Sequence, residues 1–156
     1  MIALIGENLG VVLAILGAAI AAIFSGMGSA KGVGLVGNAA AGAISEDPSL
    51  FGKVLVLQIL PGTQGLYGFL AAFLIMNNIT AGMPVSQGLG LLVAGLPIAA
   101  LGFFSGLHQG KVAASGVSVV IKKPDQNGKA IIFAAMVETY AVLALLISIL
   151  LIGKAA

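Results

Sequence analysis

One acidic residue stands inside a long apolar run. Glu138 lies in Ala134–Val142, with Lys129 before it and Lys154 after it as the nearest basic residues. Along a continuous helix these lysines would be about 14 Å and about 24 Å away, which predicts a carboxylate near the middle of a membrane. An acid at that depth is energetically costly and marks a functional site. The plainer alternative is a protonated carboxyl hydrogen-bonded to a neighbouring helix, but no basic partner is expected at similar depth.

Polar groups in an earlier segment could complete a site around this acid. Their spacing of i, i+3, i+4 and i+7 places them on one helix face. The members are Leu60, Thr63, Gln64 and Tyr67. Pro61 removes one helical hydrogen bond, which frees the carbonyl of Leu57 and is expected to loosen that of Leu60 for a ligand. Gln109, in a later apolar run, is the matching polar group.

These residues together offer a carboxylate, a hydroxyl, two amide oxygens and a backbone carbonyl. Such a set of hard oxygens suits a hard cation, whereas a proton needs only the carboxyl and one acceptor. The surplus of oxygens favours Na⁺, with H⁺ as the alternative. The phenol of Tyr67 is better suited to hold the carboxylate than to bind the ion. Thr63 and Gln64 could instead serve helix–helix hydrogen bonding.

The composition is that of an integral membrane protein. Of 156 residues, 60% are hydrophobic and 8% are charged, against about 25% charged in soluble domains. Seven lysines, no arginine and a net charge of +2 argue against nucleic-acid binding. The absence of cysteine and the single His108 argue against disulfides, thiol catalysis and zinc. No phosphate-binding motif is present, so the chain is not expected to be an ATPase or to hold an organic cofactor.

Four apolar stretches predict an all-α membrane protein of four transmembrane helices, in a single membrane domain over 1–156. The stretches run over 9–44, 50–76, 85–121 and 129–152. They are too long and continuous for barrel strands. The first and third, at about 54 Å as helices, exceed a hydrocarbon core of about 30 Å. We therefore expect them to project from the membrane on one side.

Lysine placement predicts the orientation. Six lysines lie in or near the first and third polar breaks: Lys31, Lys53, Lys111, Lys122, Lys123 and Lys129. Lys154 alone stands at the opposite end. The breaks at 45–49 and 122–128 are therefore predicted to be cytoplasmic, and both termini and the turn at 77–84 to lie outside. The first apolar run lacks a preceding basic region and is expected to be retained as a span rather than cleaved.

The chain contains an internal repeat. Phe24-Ser25-Gly26 recurs as Phe104-Ser105-Gly106, and Pro48 recurs as Pro124 at a slightly smaller offset. This pattern predicts two parallel helical hairpins, 9–76 and 85–152, with a length change in the polar break.

The two hairpins differ in charge. In the register that pairs Pro48 with Pro124, Thr63 matches Thr139 but Gly62 matches Glu138. The second hairpin alone is therefore expected to carry the ion-binding carboxylate.

Small residues recur every four positions along the first and third helices, which allows close approach of helix axes. They are Ala14, Ala18, Ala22, Gly26, Ala30 and Gly34, and then Gly102, Gly106, Gly110, Ala114 and Ser118. These stripes predict an inner layer of narrow circumference, with the second and fourth helices outside it.

The other polar residues are given ordinary roles. His108 neighbours Gln109 but is expected to point along another face. Glu7 is expected to be solvated. Glu46 and Asp47, in the first break, are expected to cap a helix, although contact with a soluble partner is an alternative.

Three segments make the sequence similar to a known family. They are IFSGMGSAKGVG at Ile23–Gly34, LPGTQGLYGF at Leu60–Phe69 and AAMVETYA at Ala134–Ala141. With them, nearly the whole chain resembles the four-helix proteolipid of V-type rotary ATPases, the K or c subunit of the membrane rotor ring. It looks especially like the Na⁺-translocating bacterial members.

The resemblance implies an ion site and a set of partners. The ion ligands would be the Leu60 carbonyl, Thr63, Gln64, Gln109 and Glu138, with Tyr67 bonded to the carboxylate. The chain would form a homo-oligomeric ring in a bacterial cell membrane, surrounded by lipid and turned by ATP hydrolysis on other subunits. A stator membrane subunit would supply a basic residue, and central-stalk subunits would meet the cytoplasmic loops.

Two other functions fit a polar site at mid-membrane depth. A passive channel or small secondary transporter would conduct or take up ions when reconstituted alone. A structural protein of membrane fusion or junction packing would tolerate Glu138→Gln.

Overall fold

The computed structural model describes residues 8–155 and consists of four long helical spans. They are Leu9–Glu46, Pro48–Asn77, Val85–Lys122 and Pro124–Ala155. Each is long and apolar enough to cross a membrane. This confirms the expected all-α architecture of four transmembrane helices. Glu7 lies outside the described residues.

Five α-helices build these spans. They are α1 (Leu9–Glu46), α2 (Phe51–Ile59), α3 (Thr63–Asn77), α4 (Val85–Lys122) and α5 (Asn127–Ala155). The second span consists of α2 and α3, which are joined by a 3₁₀ turn at Leu60–Gly62. The other spans each contain a single α-helix.

Short turns reverse the chain within each hairpin. Pro48 and Pro124 each begin a 3₁₀ turn, where a residue without an N–H leaves no hydrogen bond unmade. Asp47 caps the first turn, because its side chain accepts a hydrogen bond from the backbone N–H of Ser49 at 2.9 Å. The link between the hairpins contains Gly82 at φ 72°, a conformation that glycine adopts without strain.

The helices α1 and α4 pack backbone against backbone. A Cβ on Gly32 would lie 2.4 Å from the carbonyl oxygen of Gly106, and a Cβ on Gly110 would lie 2.4 Å from the Cα of Gly32. No larger residue fits such a contact without separating the helices. The second span packs mainly on α1, α5 packs mainly on α4, and these two outer spans touch each other little.

The residues of α1 that make this contact are only partly those of the predicted stripe. The glycines that approach the α4 backbone most closely are Gly10, Gly17, Gly28 and Gly32. By contrast, a Cβ on Gly26 or Gly34 would meet nothing within 4 Å. A row spaced by four residues turns by about 40° at each step, so the stripe winds away from α4 towards the outside of the chain.

The two hairpins are related by one constant offset. Both α1 and α4 have 38 residues, and the offset that takes Leu9 to Val85 also takes Glu46 to Lys122 and Pro48 to Pro124. The length change predicted for the polar break is therefore wrong.

The recurring Phe-Ser-Gly motif is instead displaced by one helical turn. The structural equivalents are Ser29 and Ser105, which bond to the outer spans of their own hairpins. The Ser29 hydroxyl accepts the backbone N–H of Gly65 at 2.7 Å, and the Ser105 hydroxyl donates to the carbonyl of Val137 at 3.0 Å.

A proline in the middle of α4 is supported by two hydroxyl groups. Pro97 precedes Ile98, whose carbonyl accepts a hydrogen bond from the Ser25 hydroxyl at 2.9 Å. The backbone N–H of Ile98 donates to the Ser148 hydroxyl at 3.3 Å. Side chains from α1 and α5 therefore hold the backbone next to the proline in place.

Large apolar side chains cover the outside of the second and fourth spans. Leu66, Phe69, Phe133 and Leu143 are each more than half exposed. An exposed apolar surface of this extent suits contact with lipid.

Candidate ion-binding site

The carboxylate of Glu138 receives hydrogen bonds from two neighbouring helices. Glu138 is half-buried on α5. The Tyr67 hydroxyl on α3 donates to its Oε1 at 2.6 Å, and the Gln109 Nε2 on α4 donates to its Oε2 at 3.3 Å. Each carboxylate oxygen therefore has one donor and keeps capacity for another ligand.

Two fully buried glutamines extend this network inwards. Gln64 and Gln109 both have no exposed surface. The Nε2 of Gln64 donates to the Oε1 of Gln109 at 2.5 Å and to the Ser105 hydroxyl at 3.1 Å. The Oε1 of Gln64 is buried and has no hydrogen-bond partner. Leaving such an acceptor unpaired costs about 1–3 kcal/mol, so this oxygen can gain stability from a cationic ligand.

The turn that contains Pro61 presents two more oxygens. The Thr63 hydroxyl donates to the Leu60 carbonyl at 3.1 Å. The same carbonyl accepts the backbone N–H of Thr63, so two donors of Thr63 contact the carbonyl that the kink was expected to loosen. The tight turn satisfies the carbonyl locally and brings both oxygens to one edge of the second span, next to Gln64.

Ser105 also belongs to the site, although the sequence pattern identified it only as part of the repeated Phe-Ser-Gly motif. Its hydroxyl accepts a hydrogen bond from Gln64 and donates to the backbone carbonyl of Val137 at 3.0 Å. The Ser105 hydroxyl therefore fixes the orientation of the Gln64 amide. The amide nitrogen points towards α4, and the amide oxygen has no hydrogen-bond partner. A usable signal was present, because Ser105 lies one turn before Gln109 and on the same face of α4.

Two lysines that were expected in or near the polar breaks lie at the depth of this site. Lys31 precedes Gly32, which packs against Gly106 and Pro61, and Lys111 follows Gly110. Within the described residues, 8–155, neither lysine forms an ion pair with the Glu138 carboxylate. The Nζ of Lys31 instead lies 5.5 Å from the centroid of a phenylalanine ring, Phe103.

Without Lys31 and Lys111, fewer lysines support the predicted orientation. The lysines that remain near the first and third breaks are Lys53, Lys122, Lys123 and Lys129, against Lys154 at the other end. The sign of the bias is unchanged.

His108 is exposed on α4 and lies in a groove beside Phe104 and Tyr140.

Over the described part of the chain, no three His, Cys, Asp or Glu side chains are grouped to hold a metal. A cation bound near Glu138 would therefore depend on amide, hydroxyl and carbonyl oxygens.

A hollow of about 410 Å³ reaches the carboxylate from the outer face of α5. It is lined by Ala135, Glu138, Thr139, Val142 and Leu143. The lining is apolar apart from Glu138 and Thr139, so the acid meets the surface at an apolar patch. This arrangement can hold a neutral ion–carboxylate pair but disfavours a bare charge.

A comparison with protein families matches the chain twice. The family of the ATP synthase C subunit matches residues 16–75 and again residues 92–151. The chain belongs to this family. Each match covers most of one hairpin, in agreement with the duplicated-hairpin architecture.

Individual relatives narrow the resemblance. The V-type sodium ATPase subunit K of Enterococcus hirae is 58% identical over 152 residues, which cover 97% of both chains. The A-type ATP synthase subunit K of Methanocaldococcus jannaschii is 40% identical over 90% of this chain and 62% of its own length. The 16 kDa proteolipid of the V-type proton ATPase of Rattus norvegicus is 28% identical over 90% of both chains.

These findings confirm the similarity to rotary ATPase proteolipids. The chain is a non-catalytic, multi-pass membrane subunit of an ion-translocating rotary ATPase. Assembly of such subunits into a ring is typical of the family.

Proposed function

We propose that this chain is the rotor subunit that binds Na⁺ at Glu138 and carries it through the membrane. The observation that carries the proposal is the buried, unpartnered Oε1 of Gln64, which belongs to the hydrogen-bond network of the carboxylate. A proton would need only the carboxyl group, and it would leave this oxygen unpaired.

The proposed ligands are the Leu60 carbonyl, Thr63, Gln64, Gln109 and Glu138. The oxygens of Leu60 and Thr63 are 3.1 Å apart. Oxygen ligands of Ca²⁺, which has about the radius of Na⁺, lie about 2.3–2.6 Å from the ion, so neighbouring ligands lie about 3.4 Å apart. These two oxygens can therefore share one ion if the threonine hydroxyl hydrogen turns away from the carbonyl.

The two glutamines contribute differently. Gln64 offers its Oε1, which has no hydrogen-bond partner. The two hydrogen bonds of its Nε2 hold the amide in place. Gln109 offers an oxygen that already accepts from Gln64, and its second lone pair can face the ion. Its Nε2 and the Tyr67 hydroxyl hold the carboxylate in position.

The same geometry supports a translocation mechanism. A carboxylate that carries Na⁺ is formally neutral and can pass along a path that faces lipid or a neighbouring copy. An empty carboxylate is costly in that environment, so an empty site moves only where water or a fixed cation compensates its charge. Because the chain has no arginine, and because neither Lys31 nor Lys111 pairs with the carboxylate within residues 8–155, we assign that cation to the stator subunit.

Energy for transport comes from other subunits. Moving one charge against 100 mV costs about 2.3 kcal/mol, which ATP hydrolysis elsewhere in the complex supplies. We place the turns at 45–49 and 122–128 in the cytoplasm, where central-stalk subunits contact them, and the termini outside. The lysine bias supports this orientation.

The coupling ion is proposed from two independent supports. One is the set of oxygens described above. The other is similarity, since the relative named as a sodium ATPase subunit is 58% identical, whereas relatives named as proton ATPase subunits are 26–32% identical. The alternative ion is H⁺, with the same carboxylate as the carrier.

A carbodiimide reacts with the proposed carboxyl group and provides the test. At fixed pH, increasing Na⁺ is expected to slow modification of Glu138, measured by mass spectrometry of the modified peptide. Choline at equal ionic strength is the salt control. Glu46, an exposed acid at the end of α1, is the internal control, and its modification should not respond to Na⁺. Equal rates for Glu138 with and without Na⁺ would identify H⁺ as the ion.

A further inference from the structure

One hydroxyl group on α4 connects the two outer spans that carry ligands of the candidate ion site. Ser105 is buried, with 5% of its surface exposed. Its oxygen accepts a hydrogen bond from the Nε2 of Gln64 on α3, and its hydrogen goes to the backbone carbonyl of Val137 on α5. Val137 directly precedes Glu138. A single side chain therefore holds an amide of the site and the backbone beside the carboxylate.

The repeat separates two roles of this hydroxyl. In the constant register of the two hairpins, Ser29 is equivalent to Ser105. Each hydroxyl bonds to the backbone of the outer span of its own hairpin, Ser29 at the N–H of Gly65 and Ser105 at the carbonyl of Val137. Over residues 8–155, only Ser105 adds a bond to a side chain, the amide of Gln64. The backbone bond is common to both hairpins and serves packing, whereas the bond to Gln64 belongs to the ion site.

The neighbours of the Gln64 amide permit one orientation. The Nε2 donates to two oxygens, the Oε1 of Gln109 and the hydroxyl of Ser105. The amide oxygen of Gln109 carries no hydrogen, and the hydrogen of Ser105 is already given to the Val137 carbonyl. An amide turned by 180° would therefore set its own oxygen against the lone pairs of both neighbours. The other end of the amide is consequently an oxygen, the buried and unpartnered Oε1.

We propose that Ser105 is a positioning residue that sets the affinity of the site for Na⁺ by presenting Gln64 as an acceptor. The inference rests on the proposed function, in which the Oε1 of Gln64 is an ion ligand. Without the hydroxyl, one N–H of this fully buried amide loses its acceptor, which is costly. The amide then leaves its fixed position, and the cation loses a ligand that was held in place before it bound.

The loss of the hydroxyl affects the loaded site more than the empty site. An empty site can let the amide and α5 relax, whereas a site that holds an ion needs both at fixed positions. One hydrogen bond changes an equilibrium by about 2- to 12-fold, and Ser105 makes two of them. Because both bonds are lost in Ser105→Ala, the variant is expected to bind Na⁺ at least about fivefold more weakly.

Carbodiimide modification of Glu138 in the purified ring measures this affinity at fixed pH, with choline to balance ionic strength. The Na⁺ concentration that halves the rate should rise at least about fivefold in Ser105→Ala. The matched control is Ser25→Ala, which removes another buried hydroxyl, one that donates to the carbonyl of Ile98. Its half-protection concentration should equal that of the native ring.

The outcomes distinguish this inference from the proposed function. Equal half-protection concentrations in Ser105→Ala and the native ring would overturn the role of Ser105 and leave Na⁺ binding intact. An equal rise in Ser25→Ala would also overturn it, because any buried hydroxyl would then have the same effect. A native ring that Na⁺ does not protect would overturn the proposed function, and this inference with it.

ATP-driven Na⁺ uptake by the whole complex separates positioning from a general structural role. In Ser105→Ala the Na⁺ concentration for half-maximal uptake should rise at least about fivefold. The maximal rate at saturating Na⁺ should stay unchanged, because a filled site has the same neutral charge. A lower maximal rate with an unchanged half-maximal concentration would overturn the inference.

A second variant covers the case in which Ser105→Ala does not assemble. Ser105→Cys keeps a side chain of similar shape, but its sulfur is only a weak donor and acceptor. Its half-protection concentration is expected to exceed that of the native ring and to remain below that of Ser105→Ala wherever both rings form. A cysteine ring that binds Na⁺ as tightly as the native ring would contradict the inference.

Discussion

Replacing Glu138 with glutamine removes the charge of the candidate site but keeps its shape. The amide oxygen can still accept the Tyr67 hydroxyl, which lies 2.6 Å from Oε1 in the native chain. Gln109 loses only a bond of 3.3 Å. We therefore expect the helices to pack and the ring to assemble as before.

The charge balance of the loaded site changes completely. With the carboxylate, a bound Na⁺ makes a neutral pair, whereas with the amide the loaded site carries a full positive charge. A charge at the centre of a spanning helix costs about 2.5–3.5 kcal/mol. Since about 1.36 kcal/mol changes a rate or an equilibrium tenfold, transport is expected to fall by about 70- to 370-fold.

The assay is ATP-driven uptake of radioactive Na⁺ into vesicles that contain the whole complex, with ring content measured on a denaturing gel. Glu46→Gln, a replacement at the exposed end of α1, is the matched control and should transport normally. Undiminished uptake in Glu138→Gln would refute the reasoning. Loss of both uptake and ring would instead mean that Glu138 supports the fold.

Three further predictions use contacts elsewhere in the chain. Tyr67→Phe removes one donor to the carboxylate, worth about 1–2 kcal/mol, and should raise the Na⁺ concentration for half-protection against carbodiimide about 5- to 30-fold. Gly32→Ala forces a methyl into the α1–α4 contact, at about 1–3 kcal/mol, and should lower the temperature of ring dissociation, whereas Gly42→Ala should not. Hydrogen bonds from Ser49 hold the pKa of Asp47 below its ordinary value, so the cap is present at neutral pH and is lost as the pH falls through that lowered pKa. The amide chemical shift of Ser49 should follow this loss, and should show no such titration in Asp47→Ala.

Much of the architecture could be predicted because membranes leave few choices. An apolar run must form a helix in lipid, since every backbone polar group has to be satisfied internally. Pro48 and Pro124, with polar neighbours, mark the turns in the sequence itself. The position of Glu138 along its helix was accessible from residue counting alone.

Packing between helices was less predictable. The spacing of small residues by four identified α1 and α4 as a close pair but did not identify the contact face, because such a row winds around the helix. Lys31 was assigned to a polar break, although it is at the depth of the ion site. Only the register of α1 against α4, fixed by Gly32 and Gly106, reveals this. The role of Ser105 and the orientation of the Gln64 amide likewise depend on contacts between distant segments.

The glycine contact between α1 and α4 also bears on the stoichiometry of the machine. In a ring with α1 and α4 as the inner layer, as the small-residue stripes predict, backbone-to-backbone packing makes the inner edge of each protomer narrow, while the bulkier second and fourth spans make its outer edge wide. A wedge of this shape sets the curvature of a closed circle and hence the number of protomers in it. A single added methyl at Gly32 or Gly106 would widen the inner edge, flatten the wedge and favour a larger circle. In the rotor proposed here, more carboxylates would then pass the stator subunit in each revolution, so the number of ions moved for each ATP consumed would depend on atoms that never touch an ion.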